Sequence, residues 1–431
     1  MTNNSTNSKQ SLPGPDDIVR EVLPNGLVIL VRENFTTPSV VINGLVQVGS
    51  IYEAQAKSGL ANIVTGALMR GTRSRDFNTI HETLEGLGAS LGLGGGVHTS
   101  SFSGKSLAED LPTLLELLSD TLRNPSFPKD QVERLRGEIL TGMKIRAQDT
   151  RSVANEEFRK LAYPSDHPYS RNLYGEVETV TGFTLEEMNA FHAENFGPRG
   201  MILVIVGAVA ANDVIKQVRD VFEGWQNSKQ PESPKLPAVP PLPENRQQFA
   251  VIPGKTQSDI ILGWPGPSRF APDFQAASLA NNILGVFGMM GRLGKTVRED
   301  QGLAYYCGSR VSGGMGPGPW QVSAGVNPTN VRLAIDSCLR EIKRITEEPV
   351  SEQDLEDNKA NFIGRLPLNL ESSEGVASSI LNMEMYSLGL DYLRRYKDII
   401  SAITQAQVQA AAQKYLSPVG YALAVAGPEI S

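Results

Sequence analysis

The 431-residue sequence is poor in the residues that bind metals through nitrogen and sulfur or form disulfides. It contains four His and two Cys. No two His are close enough in the chain to form a local metal-binding pair. Cys307 and Cys338 are far apart with no further Cys, which argues against a Cys-based zinc site or a disulfide framework. A single disulfide remains open, and two buried free thiols are favoured.

The sequence also lacks a basic excess and a long apolar run. Forty Lys and Arg stand against 47 Asp and Glu, giving a net charge of −7, so we expect no nucleic-acid partner. Apolar runs such as Met201–Val206 are too short to cross a bilayer. The first sixteen residues are polar, with no signal-peptide core. These absences predict a soluble, cytoplasmic protein with no membrane partner.

A Pro-rich stretch divides the chain into two similar halves. Residues 226–248 contain six Pro, a density that breaks helices and stiffens a linker. The apolar run at 201–206, preceded by Gly200, recurs at 421–426 after Gly420, and Leu-Ala-Asn at 60–62 recurs at 279–281. Two matches at nearly one offset indicate a duplicated domain. We predict domains at 17–225 and 249–431, joined by the linker at 226–248.

Each half has the pattern of an α+β domain. In the first half, strands are predicted at Val28–Val31, Val40–Val46, within Ser90–Gly104 and at Met201–Val206. Helices are predicted at Ala56–Arg70, Leu107–Arg123, Lys129–Gln148 and Leu185–Asn195. Strands and helices alternate unevenly, which favours a mostly antiparallel sheet with helices packed on one face.

The predicted helix at Ala56–Arg70 has an apolar stripe and a polar face. Asn62, Thr65 and Gly66 fall on the face opposite the stripe, at i, i+3 and i+4. Two His and one Glu at those positions would supply two zinc ligands and a general base. Asn, Thr and Gly cannot do so. By itself, this pattern favours an ordinary surface helix.

A Gly-rich segment in the second half leads from a charged stretch into a predicted strand. Gly294-Lys295-Thr296 resembles the end of a phosphate-binding loop, but Met289 occupies the position of the required first Gly. On their residue types alone, Arg298 favours a solvated surface position and Tyr305 a position at the edge of the core.

Two further segments favour structural roles. The stretch from His167 to Arg171 has no nearby nucleophile–base arrangement, so a capping or packing role is favoured over a catalytic loop. The Gly- and Pro-rich segment at 313–319 predicts a flexible surface loop.

Taken together, these segments resemble the pitrilysin and insulinase family of zinc peptidases, in the branch of bacterial processing-peptidase-like proteins. The likeness runs from Val19 to Gly427. It depends on the sequences at 23–27 (LPNGL), 59–61 (GLA), 71–72 (GT), 167–171 (HPYSR) and 297–305 (VREDQGLAY). The resemblance implies two homologous α+β domains that form half of a clamshell.

Active members of that family carry H-x-x-E-H in the helix after Gly-Leu-Ala. Aligned on this motif, the first His becomes Asn62, the general base Thr65 and the second His Gly66. The third zinc ligand, a Glu, becomes Gly142, and an acidic helper becomes Leu135. The resemblance therefore implies no metal site in this chain and no peptidase activity of the chain alone.

The second half keeps more of the family pattern. Active members use an Arg and a Tyr, seven residues apart, to hold substrate and stabilise the transition state, and Arg298 and Tyr305 match them. In some bacterial members one chain carries the zinc motif and its partner carries the Arg/Tyr pair. The resemblance thus implies a non-catalytic subunit that pairs with a homologous zinc-bearing chain around an extended peptide. A scaffolding or peptide-binding pseudoenzyme without catalysis, and metal binding at an unrelated site, remain alternatives.

Overall fold

The computed structural model describes residues 12–429, apart from the side chain of Met290. Residues 1–11, most of the polar N-terminal segment in which no signal-peptide core is expected, lie outside the described residues. So do residues 430–431, at the end of the second predicted domain. No helix within 12–429 is both long and apolar enough to cross a membrane.

From residue 12, where the described part of the chain begins, the first half contains six strands and eight α-helices. The strands are β1 (Val19–Val22), β2 (Val28–Glu33), β3 (Ser39–Val46), β4 (Ser90–Gly95), β5 (Ser100–Leu107) and β6 (Ile202–Gly207). The helices are α1 (Leu60–Ala67), α2 (Phe77–Gly86), α3 (Leu111–Arg123), α4 (Lys129–Arg146), α5 (Thr150–Ala162), α6 (Val177–Gly182), α7 (Leu185–Asn195) and α8 (Ala211–Phe222).

Up to residue 429, the last one described, the second half contains five strands and seven α-helices. The strands are β7 (Arg246–Val251), β8 (Ser258–Pro265), β9 (Ala304–Val311), β10 (Pro319–Val326) and β11 (Ala422–Gly427). The helices are α9 (Phe274–Gly285), α10 (Phe287–Leu293), α11 (Val331–Glu347), α12 (Glu352–Asn369), α13 (Ser373–Met385), α14 (Tyr392–Ser401) and α15 (Gln405–Tyr415). A π-helical segment, Gly294–Asp300, follows α10.

The two sheets have the same strand order. The first is β1-β2-β6-β3-β5-β4 and the second is β7-β11-β8-β10-β9. The first sheet has one additional edge strand, β1. Without it, the five remaining strands follow the same order as those of the second sheet, and β4 and β9 are equivalent edge strands. All pairings are antiparallel except β2–β6 and β7–β11. The predicted α+β class, the duplication and the mostly antiparallel sheets are confirmed.

Each sheet packs on helices of its own half through one face, as predicted. The opposite face of each sheet is covered by a helix from the other half. Helix α13 packs on β3 and β6 of the first sheet, and α5 packs on β8 and β11 of the second. Both contacts bury apolar side chains in continuous clusters. This reciprocal exchange of α5 and α13 therefore joins the halves through two buried apolar interfaces.

The structure refines three of the predicted segments and their boundaries. The predicted helix at Ala56–Arg70 is α1 flanked by two short 3-10 turns. The predicted strand region at Ser90–Gly104 is the β4–β5 hairpin. Strand β7 begins at Arg246, inside the predicted linker, and no helix or strand occupies 226–245. The domain boundaries themselves stay a prediction.

Candidate functional site

Helix α1 begins in a tight backbone crossing of two glycines. Gly59 and Gly175 both have positive φ, and a Cβ on Gly175 would lie 2.3 Å from the carbonyl oxygen of Ser58. Only glycine allows this approach. The contact explains why two segments that carry the family resemblance, one at the start of α1 and one after His167, meet in space.

A buried carboxylate caps the N-terminus of α1. Glu53 accepts hydrogen bonds from the backbone N–H groups of Gly59 (2.9 Å) and Ala61 (2.8 Å). It replaces the side-chain cap that Gly59 cannot supply. Burial raises the pKa of Glu53 to about 7, although the hydrogen bonds from these N–H groups oppose the shift. Glu53 thus holds the helix that carries Asn62, Thr65 and Gly66.

The predicted surface position of Thr65 is wrong. Its side chain is 1% exposed. Its hydroxyl donates to the carbonyl of Ala61 (2.9 Å) and lies 2.9 Å from the Ser100 hydroxyl of β5. The β4–β5 hairpin covers this face of α1, a long-range contact that helical periodicity cannot reveal. A hydroxyl so bonded has a structural role.

The zinc-motif positions lie together in the fold. Asn62 and Gly66 of α1 face Leu135 and Gly142 of α4 across a cavity of about 290 Å³, closed on one side by β4. The acidic residue of its lining, Glu138, is paired with Arg70 at 2.6 Å. The walls of the cavity therefore carry an amide and two glycines at the positions of the metal ligands, and an apolar side chain at the position of the acidic helper.

Leu135 and Arg146 narrow this cavity. A Cβ on Gly66 would lie 3.4 Å from Leu135 Cδ2, and a Cβ on Gly142 would lie 3.2 Å from Arg146 Nη1. Among residues 12–429 no three His, Cys, Asp or Glu side chains are grouped to hold a metal ion. A guanidinium group beside the position of the third ligand would also repel a cation. The residues present do not fit a zinc ion.

Arg298 and Tyr305 lie on one structural unit of the second half. Arg298 is on the π-helical segment, and its carbonyl accepts a hydrogen bond from the N–H of Gly302 (3.1 Å). Gly302 has φ +62°, which turns the chain from the helix into β9. The spacing of seven residues therefore corresponds to one helix–turn–strand connection. Neither side chain lines the cavity at Asn62.

Tyr305 is presented by a β-bulge on an edge strand. On β10, Val326 pairs with Ala304 and Gly325 pairs with Tyr306, so Tyr305 is the extra residue. Bulges at sheet edges redirect a side chain away from the regular pleat. Tyr305 is 66% exposed, and neither its hydroxyl nor the Arg298 guanidinium bonds a described side chain. The expectation from residue type alone, a core-edge Tyr, is wrong because the bulge turns the ring outward.

The residue after Tyr305 is anchored to the other half. The Tyr306 hydroxyl donates to Asp259 of β8, and Arg151 of α5 donates to the Tyr306 oxygen (2.9 Å). Thr150 of α5 also donates to Asp259, which is 2% exposed. Burial raises the pKa of Tyr306, and the Asp259 carboxylate adds to this shift. This cluster fixes the strand segment next to Tyr305.

The histidines have structural partners. His167 is fully buried, accepts a hydrogen bond from the Tyr169 N–H (3.0 Å) and stacks on Tyr163. His98 bonds the Tyr169 hydroxyl at 2.7 Å, and burial lowers the pKa of His98 to about 4. For His167 and Tyr169 of the segment at 167–171, the predicted capping or packing role is confirmed. Cys307 and Cys338 are buried free thiols with sulfurs 3.8 Å apart, as favoured from the sequence.

The segment at 313–319 is not a flexible surface loop. The Pro317 carbonyl accepts a hydrogen bond from the Tyr163 hydroxyl of the first half (3.0 Å). A Cβ on Gly316 would lie 2.7 Å from the hydroxyl oxygen of Tyr169. Its glycines allow close packing between the halves, a use that composition does not distinguish from flexibility.

Comparison with known families agrees with this architecture. A profile described as "Insulinase (Peptidase family M16)" matches residues 28–176, and one described as "Peptidase M16 inactive domain" matches residues 182–362. The chain belongs to peptidase family M16. The M16 resemblance inferred from the sequence is thereby confirmed, whereas the roles of individual site residues stay predictions.

Relatives and solved structures extend the M16 likeness over nearly the whole chain. An uncharacterized zinc protease of Streptomyces coelicolor is 26% identical, covering 86% of this chain and 81% of the relative. The mitochondrial-processing peptidase subunit beta of Saccharomyces cerevisiae is 24% identical, covering 83% and 80%. The crystal structure of a peptidase M16 inactive domain from Pseudomonas fluorescens superimposes with a TM-score of 0.89, at 24% identity, covering 96% and 98%.

Sequence reasoning missed three residues of this M16 chain that shape the candidate sites. Arg146 borders the zinc-motif cavity, and Asp259 with Tyr306 anchors β9. Asp259 left a usable signal, because a carboxylate inside an otherwise apolar strand is rarely buried without partners. Arg146 left none, since an Arg near a helix C-terminus is common on any surface helix.

Proposed function

We propose that this chain is the non-catalytic subunit of a heterodimeric zinc peptidase. Its partner would be a homologous chain with an intact H-x-x-E-H motif, and the two would close like a clamshell around an extended peptide. One contrast supports the proposal. The zinc-motif cavity is lined by Leu135 and Arg146, whereas Tyr305 is exposed on a bulge of the strand that follows the helical segment of Arg298.

The first half supports only a role without metal chemistry. Zinc is held by Cys, His, Asp or Glu side chains. The positions that face the cavity offer Asn62, Gly66 and Gly142 instead. The partner would supply zinc, its bound water and the general base.

The second half supports a role in binding and in stabilising charge. Arg298 would hold a peptide carbonyl or carboxylate, since a guanidinium group presents several donors in a planar fork. Tyr305 would donate a hydrogen bond to the oxyanion that forms when the scissile carbonyl is attacked. Each of these roles needs a side-chain donor that is not already bonded within the chain. The Arg298 guanidinium and the Tyr305 hydroxyl meet this condition, since neither bonds a described side chain.

The anchoring of β9 supports the same role. A donor stabilises a transition state only if it is held in place before the reaction. Gly302 and the bulge set the backbone on either side of Tyr305, and Asp259 fixes Tyr306. The hydroxyl of Tyr305 is thus carried by a constrained backbone.

The test combines this chain with a homologue that carries the zinc motif and measures cleavage of a fluorogenic peptide. We expect Tyr305→Phe to lower kcat by about 10²–10³-fold, as for loss of one oxyanion donor, with a smaller change in KM. Tyr386→Phe is the matched control, because its hydroxyl bonds no described residue. Unchanged cleavage with Tyr305→Phe would contradict the proposal and favour a scaffolding role.

We also propose that the pair works in the cytoplasm. The two thiols, with sulfurs 3.8 Å apart and no disulfide between them, suit a reducing compartment. Fractionation of the source cells tests this, and recovery of the chain outside the cytoplasm would contradict it.

A further inference from the structure

A second cavity in the first half is lined by three arginines. It measures about 460 Å³ and lies between α4, α5 and the segment at 170–177. Arg146, Arg159 and Arg171 all border it, and we call it the arginine cavity. Arg146 also borders the cavity at the zinc-motif positions, so the two cavities adjoin.

None of the three guanidinium groups has an ion-pair partner in the described part of the chain. Arg146 lies under the Tyr174 ring, with its Cζ 4.0 Å from the ring centroid, and its Nη2 is buried without an acceptor. Arg171 is held by the carbonyl oxygens of Glu53 (3.3 Å) and Asp166 (3.1 Å). Its Nε is likewise buried without an acceptor. A buried donor on a charged group is costly when it has no acceptor. A ligand that supplies an acceptor to Arg146 and Arg171 would therefore be bound favourably.

The acidic residues of the lining do not neutralise the arginines. Glu156 is paired with Lys160 at 2.9 Å. Burial raises the pKa of Glu176, and the charge of Glu156 adds to that shift. The cavity therefore carries an excess of positive charge, moderated by two carboxylates.

Part of the remaining lining is apolar, from Val97, Met143, Leu173 and Val177, and part is polar and uncharged, from Ser152, Asn155, Ser170 and Asn172. A cavity of this size that combines apolar side chains with a few charged and polar groups suits a small amphipathic ligand.

We propose that the arginine cavity binds a carboxylate of a peptide that also carries an apolar side chain. Arg146 and Arg159 would donate hydrogen bonds to the carboxylate, Arg171 would add to the positive charge around it, and the apolar part of the lining would take the side chain. A dianionic phosphate fits less well, because Glu156 and Glu176 would repel its second charge. The site is separate from Arg298 and Tyr305 and does not depend on the proposed role in peptide cleavage.

The test measures binding of short peptides to the full chain by isothermal titration calorimetry, in the absence of any partner. Acetyl-Ala-Ala-Leu with a free carboxylate is compared with the same peptide as its amide. We expect the free acid to bind at least tenfold more tightly, and the preference to weaken with added salt. Arg146→Gln and Arg159→Gln should each reduce the preference several-fold, whereas Arg134→Gln, an exposed arginine of α4 outside the cavity, should leave it unchanged.

Further arms identify the source of the carboxylate. Tight binding of an amidated peptide that ends in Glu would support the site and assign the carboxylate to a side chain. Equal affinity for acid and amide would overturn the proposal, as would an acid preference that neither Arg146→Gln nor Arg159→Gln reduces. Inorganic phosphate binding more tightly than the peptides would overturn it too. If both variants fail to fold, the comparison of acid with amide on the unchanged chain decides.

Discussion

Replacement of Asp259 should loosen the attachment between the two halves. Its carboxylate is 2% exposed and accepts hydrogen bonds from Thr150, Tyr306 and Gln257, the last at 3.0 Å. Thr150 belongs to α5, so the carboxylate ties the exchanged helix to the sheet that the helix covers. Arg151 lies 4.0 Å away but is more than half exposed.

The magnitude follows from the donors that Asp259→Ala would leave without an acceptor. A buried donor without a partner costs about 1–3 kcal/mol. Two hydroxyl groups, of Thr150 and Tyr306, lose their acceptor, whereas the half-buried Gln257 amide and the exposed Arg151 can turn to solvent and contribute little. We therefore expect a loss of about 3–4 kcal/mol in the free energy of unfolding. Asp259→Asn keeps the shape and one acceptor, and should cost about half as much.

Urea unfolding followed by circular dichroism measures this loss. Asp398→Ala, at an exposed aspartate, is the control and should stay within about 0.5 kcal/mol of the unchanged chain. Thr150→Val should cost about 1 kcal/mol alone and much less in the Asp259→Ala background, because the hydrogen bond is already lost. A loss below about 1 kcal/mol for Asp259→Ala, or full additivity with Thr150→Val, would refute the reasoning.

Two further predictions concern the region around α1. Because burial raises the pKa of Glu53 from 4.5 to about 7, the stability contributed by its protonated form is complete below pH 4.5 and lost as the pH rises through 7. The unchanged chain should therefore lose roughly 3 kcal/mol in its free energy of unfolding, relative to Glu53→Gln, when the pH is raised from 4 to 8. Urea unfolding of both proteins at the two pH values measures this. A difference between them that is the same at pH 4 and pH 8 would contradict the prediction. Gly175→Ala should cost more than about 2 kcal/mol in the same assay, because φ is +80° and a backbone oxygen lies 2.3 Å from the new Cβ. Gly182→Ala, with open space around it, should change stability by less than about 1 kcal/mol, and similar costs at both positions would rule out the close-approach argument.

Elements set by local signals could be predicted from the sequence. Helix α7 has the predicted bounds, Leu185–Asn195, because Thr184 and Glu187 form a capping box at its start. Strands β6 and β11 repeat at one offset because the duplication preserved their length. In these elements the deciding interactions lie within a few residues along the chain.

Contacts between distant segments could not be predicted. Helix α5 shows apolar residues at Ala154, Phe158 and Ala162, which indicates an amphipathic helix but does not name the sheet that it covers. Thr65 appeared to be on a polar face because helical periodicity is blind to a hairpin folding over that face. The outward turn of Tyr305 depends on a bulge, and a bulge is defined by the register with β10, which no local pattern encodes.

The residues at the zinc-motif positions could be predicted from the sequence, because they follow from an alignment of residue types. The side chains that reach the site from elsewhere in the fold could not. The family resemblance placed Asn62, Gly66 and Gly142 at one site, and the structure brings them together. It carried no information on Arg146, because the side chain enters the site from the residue one helical turn after Gly142. Its effect on charge becomes visible only when α4 is packed on α1.

The reciprocal exchange of α5 and α13 bears on why the first half persists without metal ligands. If the first half folded independently of the second, a first half without metal ligands could be deleted from the chain without harm to the second. Here α5 forms one wall of the second half's core, and its Thr150 and Arg151 anchor Asp259 and Tyr306 beside the exposed Tyr305. Losing the first half would uncover the second sheet and release the strand that presents Tyr305. The first half is therefore constrained by the fold of the second, whether or not its own cavities bind a ligand.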